Sequence, residues 1–151
     1  MQAMLAPVIL YPMSRSGGRR RRGRELALRV LFELEGTDKD HVAAIDYQAS
    51  EMGATPDTVA FARRLVAGTL ERIRAIDAAI AESSLHWDLV DLGKVERAVL
   101  RLGTYEILFE ASTPVAVSID ESLELARIYA GDEAVPLVNG VLGRIARERV
   151  G

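Results

Sequence analysis

The spacing of apolar residues constrains the fold of this chain more than any other feature of its sequence. Apolar side chains recur at every third or fourth position, most clearly over residues 59–80, and no segment between turn signals alternates with a period of two. The first spacing gathers apolar side chains on one face of a helix, whereas alternation is the pattern of a half-buried strand. The sequence therefore predicts an all-α fold with six or seven helices.

Start and stop signals bound several of these helices. Thr55 is the expected N-cap and Pro56 the first residue of the longest helix, whose apolar stripe continues for nearly six turns. A helix that begins near Arg19 has Gly36 as its expected stop. Further helices are expected over residues 41–52, 95–111, 118–129 and 136–149.

Two short motifs refine the later helices. Ser118 and Glu121 have the spacing of a capping box, in which each side chain bonds a free backbone N–H at a helix start. The helix that follows is expected to close at Gly131. Gly140 falls inside the last helix, and we expect a close helix contact to explain it.

Composition indicates one compact domain over residues 19–151, preceded by a flexible tail over residues 1–18. Hydrophobic residues make up 49% of the chain and charged residues 27%, which is ordinary for a globular protein. The chain has no cysteine, so disulfides and thiolate zinc sites are excluded. The early apolar run, residues 3–11, is too short for a membrane span and lacks a preceding positive charge, so we expect neither a membrane anchor nor a signal peptide, and a cytoplasmic protein.

The sequence carries few ingredients of an active site. It contains no phosphate-binding GxxxxGK[ST] loop, and its two histidines, His41 and His86, stand in unrelated contexts. Adjacent carboxylates such as Asp120 and Glu121 do not face each other on a helix. We therefore expect a protein without catalytic residues, bound metal or cofactor.

An arginine run at the start of the first helix is the most distinctive chemical feature. Residues 1–29 carry seven arginines against the single acid Glu25, a net charge of +6, whereas residues 30–151 carry a net charge of −9. Positive side chains at a helix N-terminus are disfavoured by the helix macrodipole, by about 0.3–1 kcal/mol each. A basic arm on an acidic body points to a polyanionic partner for the arm.

Three roles are open for such a run: a nucleic-acid contact, a solvated tail, or a patch for anionic membranes. Arginine rather than lysine favours the first, because its planar fork makes bidentate contacts with phosphate. The free N–H groups of a helix start also attract phosphate. The candidate RNA-binding residues of the run are Arg19, Arg20, Arg21, Arg22 and Arg24.

Longer motifs resemble one known family. The stretch "RRRRGRELALRVLFELE" is similar to the arginine motif and first helix of the bacterial transcription antitermination factors of the NusB family. Downstream, "KVERAVLRLGTYEILF", then "TP", then "SIDESLELARIYAGDEAVPLVNGVLGRIAR" match that family in order and spacing. Together the motifs span residues 19–147.

The resemblance implies both a fold and a function. Members of this family are all-helical, with two packed three-helix bundle halves, and are not enzymes. They bind the boxA element of single-stranded RNA in ribosomal RNA operon leaders together with the ribosomal protein NusE, and this complex joins other Nus factors on RNA polymerase. The free protein is a possible homodimer.

The resemblance also assigns individual residues. Arg20, Arg21, Arg22 and Arg24 fall on the RNA-binding motif, and Arg101 matches a basic position near the RNA surface. Phe32, Glu96 and Glu133 match positions at the contact with NusE or at its border with RNA. Without the resemblance, we would expect Phe32 to be a core residue and Glu96 to interact favourably with the macrodipole at the start of its own helix.

Two alternatives stay open. A related helical domain forms the RNA-binding part of some ribosomal RNA cytosine methyltransferases, of which this chain, which has no catalytic cysteine, would be a fragment. The other alternative is a purely structural helical scaffold whose arginines are solvated. A salt titration of RNA binding separates the scaffold from an RNA-binding protein.

Overall fold

Seven α-helices make up most of the chain in the computed structural model, which describes residues 18–84 and 89–150. A 3₁₀ turn, Leu89–Asp91, precedes the fifth helix, and a π-helical turn, Ala146–Val150, follows the last. The described residues contain no strand, so the all-α prediction is confirmed. The helices are α1 Arg19–Leu34, α2 His41–Met52, α3 Pro56–Glu71, α4 Ile73–Ser83, α5 Lys94–Phe109, α6 Val115–Ala130 and α7 Ala134–Ile145.

Two parts of the sequence prediction concern residues that the structure does not describe. The tail expected over residues 1–18 lies outside the described residues except for Gly18, which precedes α1. The loop around Trp87, with His86, also lies outside them.

The chain divides into two compact units, residues 1–67 and 68–151. The first unit contains α1, α2 and most of α3, and α1 packs against α2. Its core is apolar and comes from all three helices, as the 3.6-residue spacing predicts. The core side chains include Leu26, Ala27, Val30 and Leu31 of α1, Ile45 of α2, and Ala62, Leu65 and Val66 of α3.

The second unit is arranged around α5, which packs against α4, α6 and α7. Every residue from 98 to 107 on this helix is buried except Arg101. Close approach depends on Gly103, since a Cβ there would lie 2.6 Å from Oγ of Ser122 and 2.9 Å from Cδ1 of Leu142. Contacts that short do not occur, so only glycine lets α5 pack this closely between its neighbours.

Several predicted helix ends are confirmed by capping interactions. Thr55 immediately precedes α3, and its Oγ1 accepts a hydrogen bond of 3.4 Å from the Thr58 N–H in the first turn of that helix, as expected of an N-cap. Gly36 follows α1 with φ of +76°, and Gly131 follows α6 with φ of +102°. This left-handed region favours glycine, which explains both stops.

The long helix predicted from Pro56 onward is broken, and this expectation was wrong. Arg72 separates α3 from α4 with φ of −108° and ψ of 16°, outside the helical range. Its guanidinium carbon lies 4.5 Å from the centroid of the Phe109 ring. The apolar stripe continues across the break because the Ile76 N–H still bonds the Arg72 carbonyl, at 2.9 Å. The spacing of apolar residues therefore did not reveal the break.

The capping box predicted at Ser118 is also wrong. Helix α6 begins three residues earlier, after Pro114, and the Ser118 N–H donates to the Pro114 carbonyl at 3.1 Å as an ordinary helical bond. The Ser118 side chain is fully buried, so it packs inside the unit rather than capping a helix.

The bounds of α5 and α7 also differ from those expected. Helix α5 ends at Phe109, two residues early. Helix α7 begins at Ala134, which places Pro136 within its first turn, where a missing N–H leaves no helical bond unmade. It ends at Ile145, where the π-helical turn takes over.

The close helix contact expected at Gly140 is not present. A Cβ at Gly140 would meet no atom within 4 Å among the described residues. By contrast, a Cβ at Gly68 of α3 would overlap the phenol ring of Tyr105. The two helical glycines therefore have opposite packing environments.

This difference predicts opposite effects of alanine. Gly68→Ala is expected to lower the free energy of unfolding by about 1–2 kcal/mol, since overpacking outweighs the gain in helix propensity. Gly140→Ala is the matched control and is expected to raise that free energy by about 0.5–1 kcal/mol. Urea unfolding followed by circular dichroism measures both, and a stabilising effect at Gly68 would contradict the packing described above.

Candidate nucleic-acid interface

The arginine run occupies the first two turns of α1. Gly18 is the N-cap and has no side chain with which to cap the helix, and the first bond of the helix runs from the Arg22 N–H to the Gly18 carbonyl at 3.1 Å. The N–H groups of residues 19–21 therefore precede the intrahelical ladder. N–H groups that lie outside this ladder and arginine side chains together make this helix end suitable for an anion.

Exposure differs sharply along the run. Arg19 and Arg20 are exposed, Arg21 and Arg22 are half-buried, and Arg24 is only 3% exposed. The exposed arginines can contact a large ligand directly. Arg24 is buried within the first unit, so it does not contact a large ligand directly, and its charge contributes only to the positive potential at the surface.

An aromatic ring of α3 lies among these arginines. The guanidinium carbon of Arg20 is 4.8 Å from the centroid of the Phe61 ring, and that of Arg24 is 5.5 Å away. Arg64, one turn along α3, approaches the same ring to 5.2 Å. A cation over an aromatic face is attracted by the ring quadrupole, by about 0.5–2 kcal/mol depending on exposure. Arg20, Arg24, Arg64 and Phe61 together form an arginine–phenylalanine cluster.

The local sequence explains how the cluster forms. Arg20 and Arg24 are four residues apart and so lie on one face of α1. Gly23, on the adjoining turn, lets the ring approach, because a Cβ there would lie 2.6 Å from Cδ2 of Phe61. A larger residue at position 23 would push the ring away from both arginines.

An ion pair lies at the edge of the cluster. Arg19 donates to Oδ2 of Asp57, in the first turn of α3, at 2.6 Å. The two side chains are 75% and 71% exposed. Solvent screens a pair this exposed, so it adds little to stability. Its carboxylate does lower the positive potential next to the arginine run.

Arg101 has a different environment, in the second unit. It forms a two-pronged ion pair with Asp77 of α4, with Nε to Oδ1 at 2.8 Å and Nη2 to Oδ2 at 3.0 Å. The side chains are 19% and 29% exposed. This geometry satisfies the arginine fork within the chain and links α4 to α5.

The three residues matched to a protein contact also occupy distinct positions. Phe32 is 2% exposed in the core of the first unit. Glu96 is half-buried in the first turn of α5, with its carboxylate against Gly93, where it favours the helix macrodipole. Glu133 is exposed at the N-cap of α7.

The structure therefore brings together only some of the candidate residues. Arg20 and Arg24 share one ring, and Arg19, Arg21 and Arg22 belong to the same helix end. Sequence reasoning missed Phe61, Arg64 and Asp57. The stretch "AFARR" in α3 interleaves an aromatic residue with arginines and contained a usable signal.

Two other kinds of functional feature are absent from the part of the chain that the structure describes. No group of three or more histidine, cysteine, aspartate or glutamate residues there could hold a metal ion. No helix among the same residues is long and apolar enough to cross a membrane. His41 is the first residue of α2 and is half-buried.

Comparison with known proteins gives a family match over most of the chain. The sequence profile of the NusB family matches residues 21–147. The chain is 40% identical to the transcription antitermination protein NusB of Desulforamulus reducens over 126 residues, 83% of this chain and 88% of that protein. It is also 40% identical to the protein of the same name from an Exiguobacterium species, over 86% of this chain and 98% of that protein.

Solved structures agree with the sequence comparison. A NusB structure from T. maritima superimposes with a TM-score of 0.80 and 37% identity, covering 87% of this chain and 93% of that one. A second similar chain, from a structure of the antitermination factors NusB and NusE in complex with double-stranded RNA, has a TM-score of 0.78 and 28% identity, over 85% and 96% of the two chains.

The ion pair between Arg101 and Asp77 yields a prediction on stability. Arg101→Ala is expected to lower the free energy of unfolding by about 1–2 kcal/mol, because a partly buried carboxylate loses two charge-assisted hydrogen bonds. Arg127→Ala, which removes an exposed pair with Glu124, is the control and is expected to change little. Urea unfolding of both variants measures the difference, and equal stabilities would show that Arg101 has no structural role.

Proposed function

Because this chain belongs to the NusB family, we propose that it is a transcription antitermination factor that binds RNA together with the ribosomal protein NusE. The observation that carries the proposal is the arginine run at the start of α1, held against Phe61 in the arginine–phenylalanine cluster. Two relatives that are 40% identical over most of the chain are named transcription antitermination proteins. A similar structure is described as NusB and NusE in complex with RNA.

The proposed RNA ligand is the single-stranded boxA element of ribosomal RNA leaders. Single-stranded RNA is commonly held by a basic surface that follows its phosphates. Arg19, Arg20, Arg21 and Arg22 are the proposed phosphate contacts, with Arg24 supporting them through the Phe61 ring. Arg101 is proposed to act near the RNA while it keeps its ion pair with Asp77.

The proposed protein partner is NusE, through a surface that includes Glu96 and Glu133. Residues 30–151 carry a net charge of −9, which suits a basic ribosomal protein because complementary charge speeds and orients association. Phe32 is buried in the core of the first unit, so its proposed contribution is to shape that unit's own part of the contact. The complex would then join other Nus factors on RNA polymerase. The function is binding rather than catalysis, in the cytoplasm where bacterial RNA is made.

The test is RNA binding by fluorescence anisotropy, with a boxA RNA and a scrambled RNA, at several salt concentrations and with or without NusE. Each phosphate contact of a single strand contributes about 0.7 to the slope of log K against log salt, so the four proposed phosphate contacts give a slope of roughly −2.5 to −3. We expect boxA to bind more tightly than the scrambled RNA and NusE to strengthen binding.

A triple variant locates the site. Arg20→Ala, Arg21→Ala and Arg22→Ala together are expected to weaken RNA binding on the order of 100-fold and to make the slope shallower by about 2. Arg24 is left unchanged because it is buried. The control removes the same charge from three exposed arginines elsewhere, Arg63, Arg74 and Arg147. If both variants lose the same affinity, only net charge matters and the site is not at α1. If neither RNA binds in any mixture, the proposed function is wrong.

The ion pair at the edge of the cluster predicts a gain of affinity. Asp57→Asn removes a negative charge 2.6 Å from Arg19, so phosphate no longer competes with a carboxylate for that guanidinium. We expect RNA to bind about two- to fivefold more tightly at low salt, and the gain to shrink as salt rises. The same RNA titrations measure it, with Asp46→Asn as control, since Asp46 pairs with Arg63 instead. Unchanged affinity at low salt would place the RNA away from Arg19.

A further inference from the structure

The arginine–phenylalanine cluster includes a basic residue outside the arginine run. Arg64 belongs to α3, is exposed, and reaches the Phe61 ring that Arg20 also contacts. Neither the sequence motif nor the family resemblance points to α3 as part of the RNA site. The position of the Arg64 guanidinium beside the Phe61 ring does point to α3.

The positive charges of this cluster favour the binding of an anion. The guanidinium carbons of Arg20, Arg24 and Arg64 each lie within 5.5 Å of one ring centroid, so any two are within about 11 Å of each other. That distance is comparable to the Debye length of about 8 Å at physiological salt, so their mutual repulsion is only partly screened. An anion bound beside the exposed Arg20 and Arg64 would be attracted by both and would offset this repulsion.

The Phe61 ring orders the guanidinium groups that contact it. A guanidinium has five N–H donors in its plane, and a contact between its carbon and a ring face uses none of them. Phe61 itself is 7% exposed, too little for a base to stack on it. The cluster is therefore suited to phosphates rather than to bases.

We propose that Arg64 is a further RNA-binding residue, which contacts backbone phosphate, and that Phe61 is a positioning residue that holds Arg20 and Arg64 on one surface. The proposal rests on the RNA-binding function proposed above and extends the site from α1 to α3. Because phosphates carry no base identity, Arg64 should contribute to affinity without contributing to the preference for boxA.

The adjacent residue on α3 provides a matched control. Arg63 is also exposed, and it forms an ion pair with Asp46 of α2 at 2.5 Å. Arg64→Ala is expected to weaken binding of boxA and scrambled RNA by the same factor, about five- to tenfold, and to make the salt slope shallower by about 0.7. Arg63→Ala, with the same change of charge, is expected to change affinity less than twofold and to leave the slope unaltered.

The positioning role of Phe61 needs its own readout. Phe61→Leu keeps an apolar side chain but removes the ring, and Phe61→Tyr keeps the ring. We expect the leucine variant to lose about fivefold in RNA affinity and the tyrosine variant to stay within twofold of the parent. In a double-mutant cycle, Arg64→Ala should cost less in the leucine background than in the parent, because the ring no longer holds Arg64 in place. Full additivity would contradict a positioning role.

The outcomes separate the two proposals. If the parent protein binds RNA but Arg64→Ala behaves like Arg63→Ala, the site stops at α1 and the inference about Arg64 is overturned. The same holds if Arg64→Ala weakens only the binding of NusE, since Arg64 would then contact protein. If the parent protein binds neither RNA, both proposals fail together. A loss of boxA preference in Arg64→Ala would show a base contact and overturn the phosphate assignment.

Discussion

The contact between Gly23 and the ring of Phe61 is the interaction on which the candidate site depends. Without a Cβ at position 23, the ring approaches α1 closely enough for Arg20 and Arg24 to lie beside it. The ring then compensates part of the repulsion between neighbouring guanidinium groups and of the unfavourable macrodipole at the helix start. A helix end that would otherwise carry scattered, mobile charges becomes an ordered basic surface, which lowers the entropy lost when a ligand binds.

Charge separates the two roles proposed for the chain. The basic residues of the proposed RNA site lie at the start of α1 and on α3, whereas the remainder of the protein is acidic and suits a basic protein partner. Arg101 shows why charge alone does not identify a ligand-binding residue. Its fork is already occupied by Asp77, so part of its function is to link two helices. Family membership, the arginine run and this division of charge all favour RNA and protein binding over a purely structural scaffold.

Much of the fold was predictable because apolar spacing and turn chemistry are local. All the helical segments, with α3 and α4 taken as one, the Thr55 cap and the stops at Gly36 and Gly131 follow from such signals. The errors come from contacts between distant residues. Packing of Arg72 over Phe109 accompanies the break in the long helix, and burial of Ser118 replaces its expected cap. Phe61 and Arg64 were missed for the same reason, since only the fold brings α3 to the arginines of α1.

The measurement that tests the central claim most directly is an NMR titration of arginine Nε–Hε resonances with boxA RNA in the presence of NusE. Each guanidinium reports its own environment, so the experiment maps the RNA onto individual side chains. We predict large shifts for Arg20, Arg21, Arg22 and Arg64, with the resonances of Arg74 and Arg147 unchanged. Shifts confined to Arg74, Arg147 or other arginines outside α1 and α3 would contradict this prediction, because the RNA would then bind a different surface.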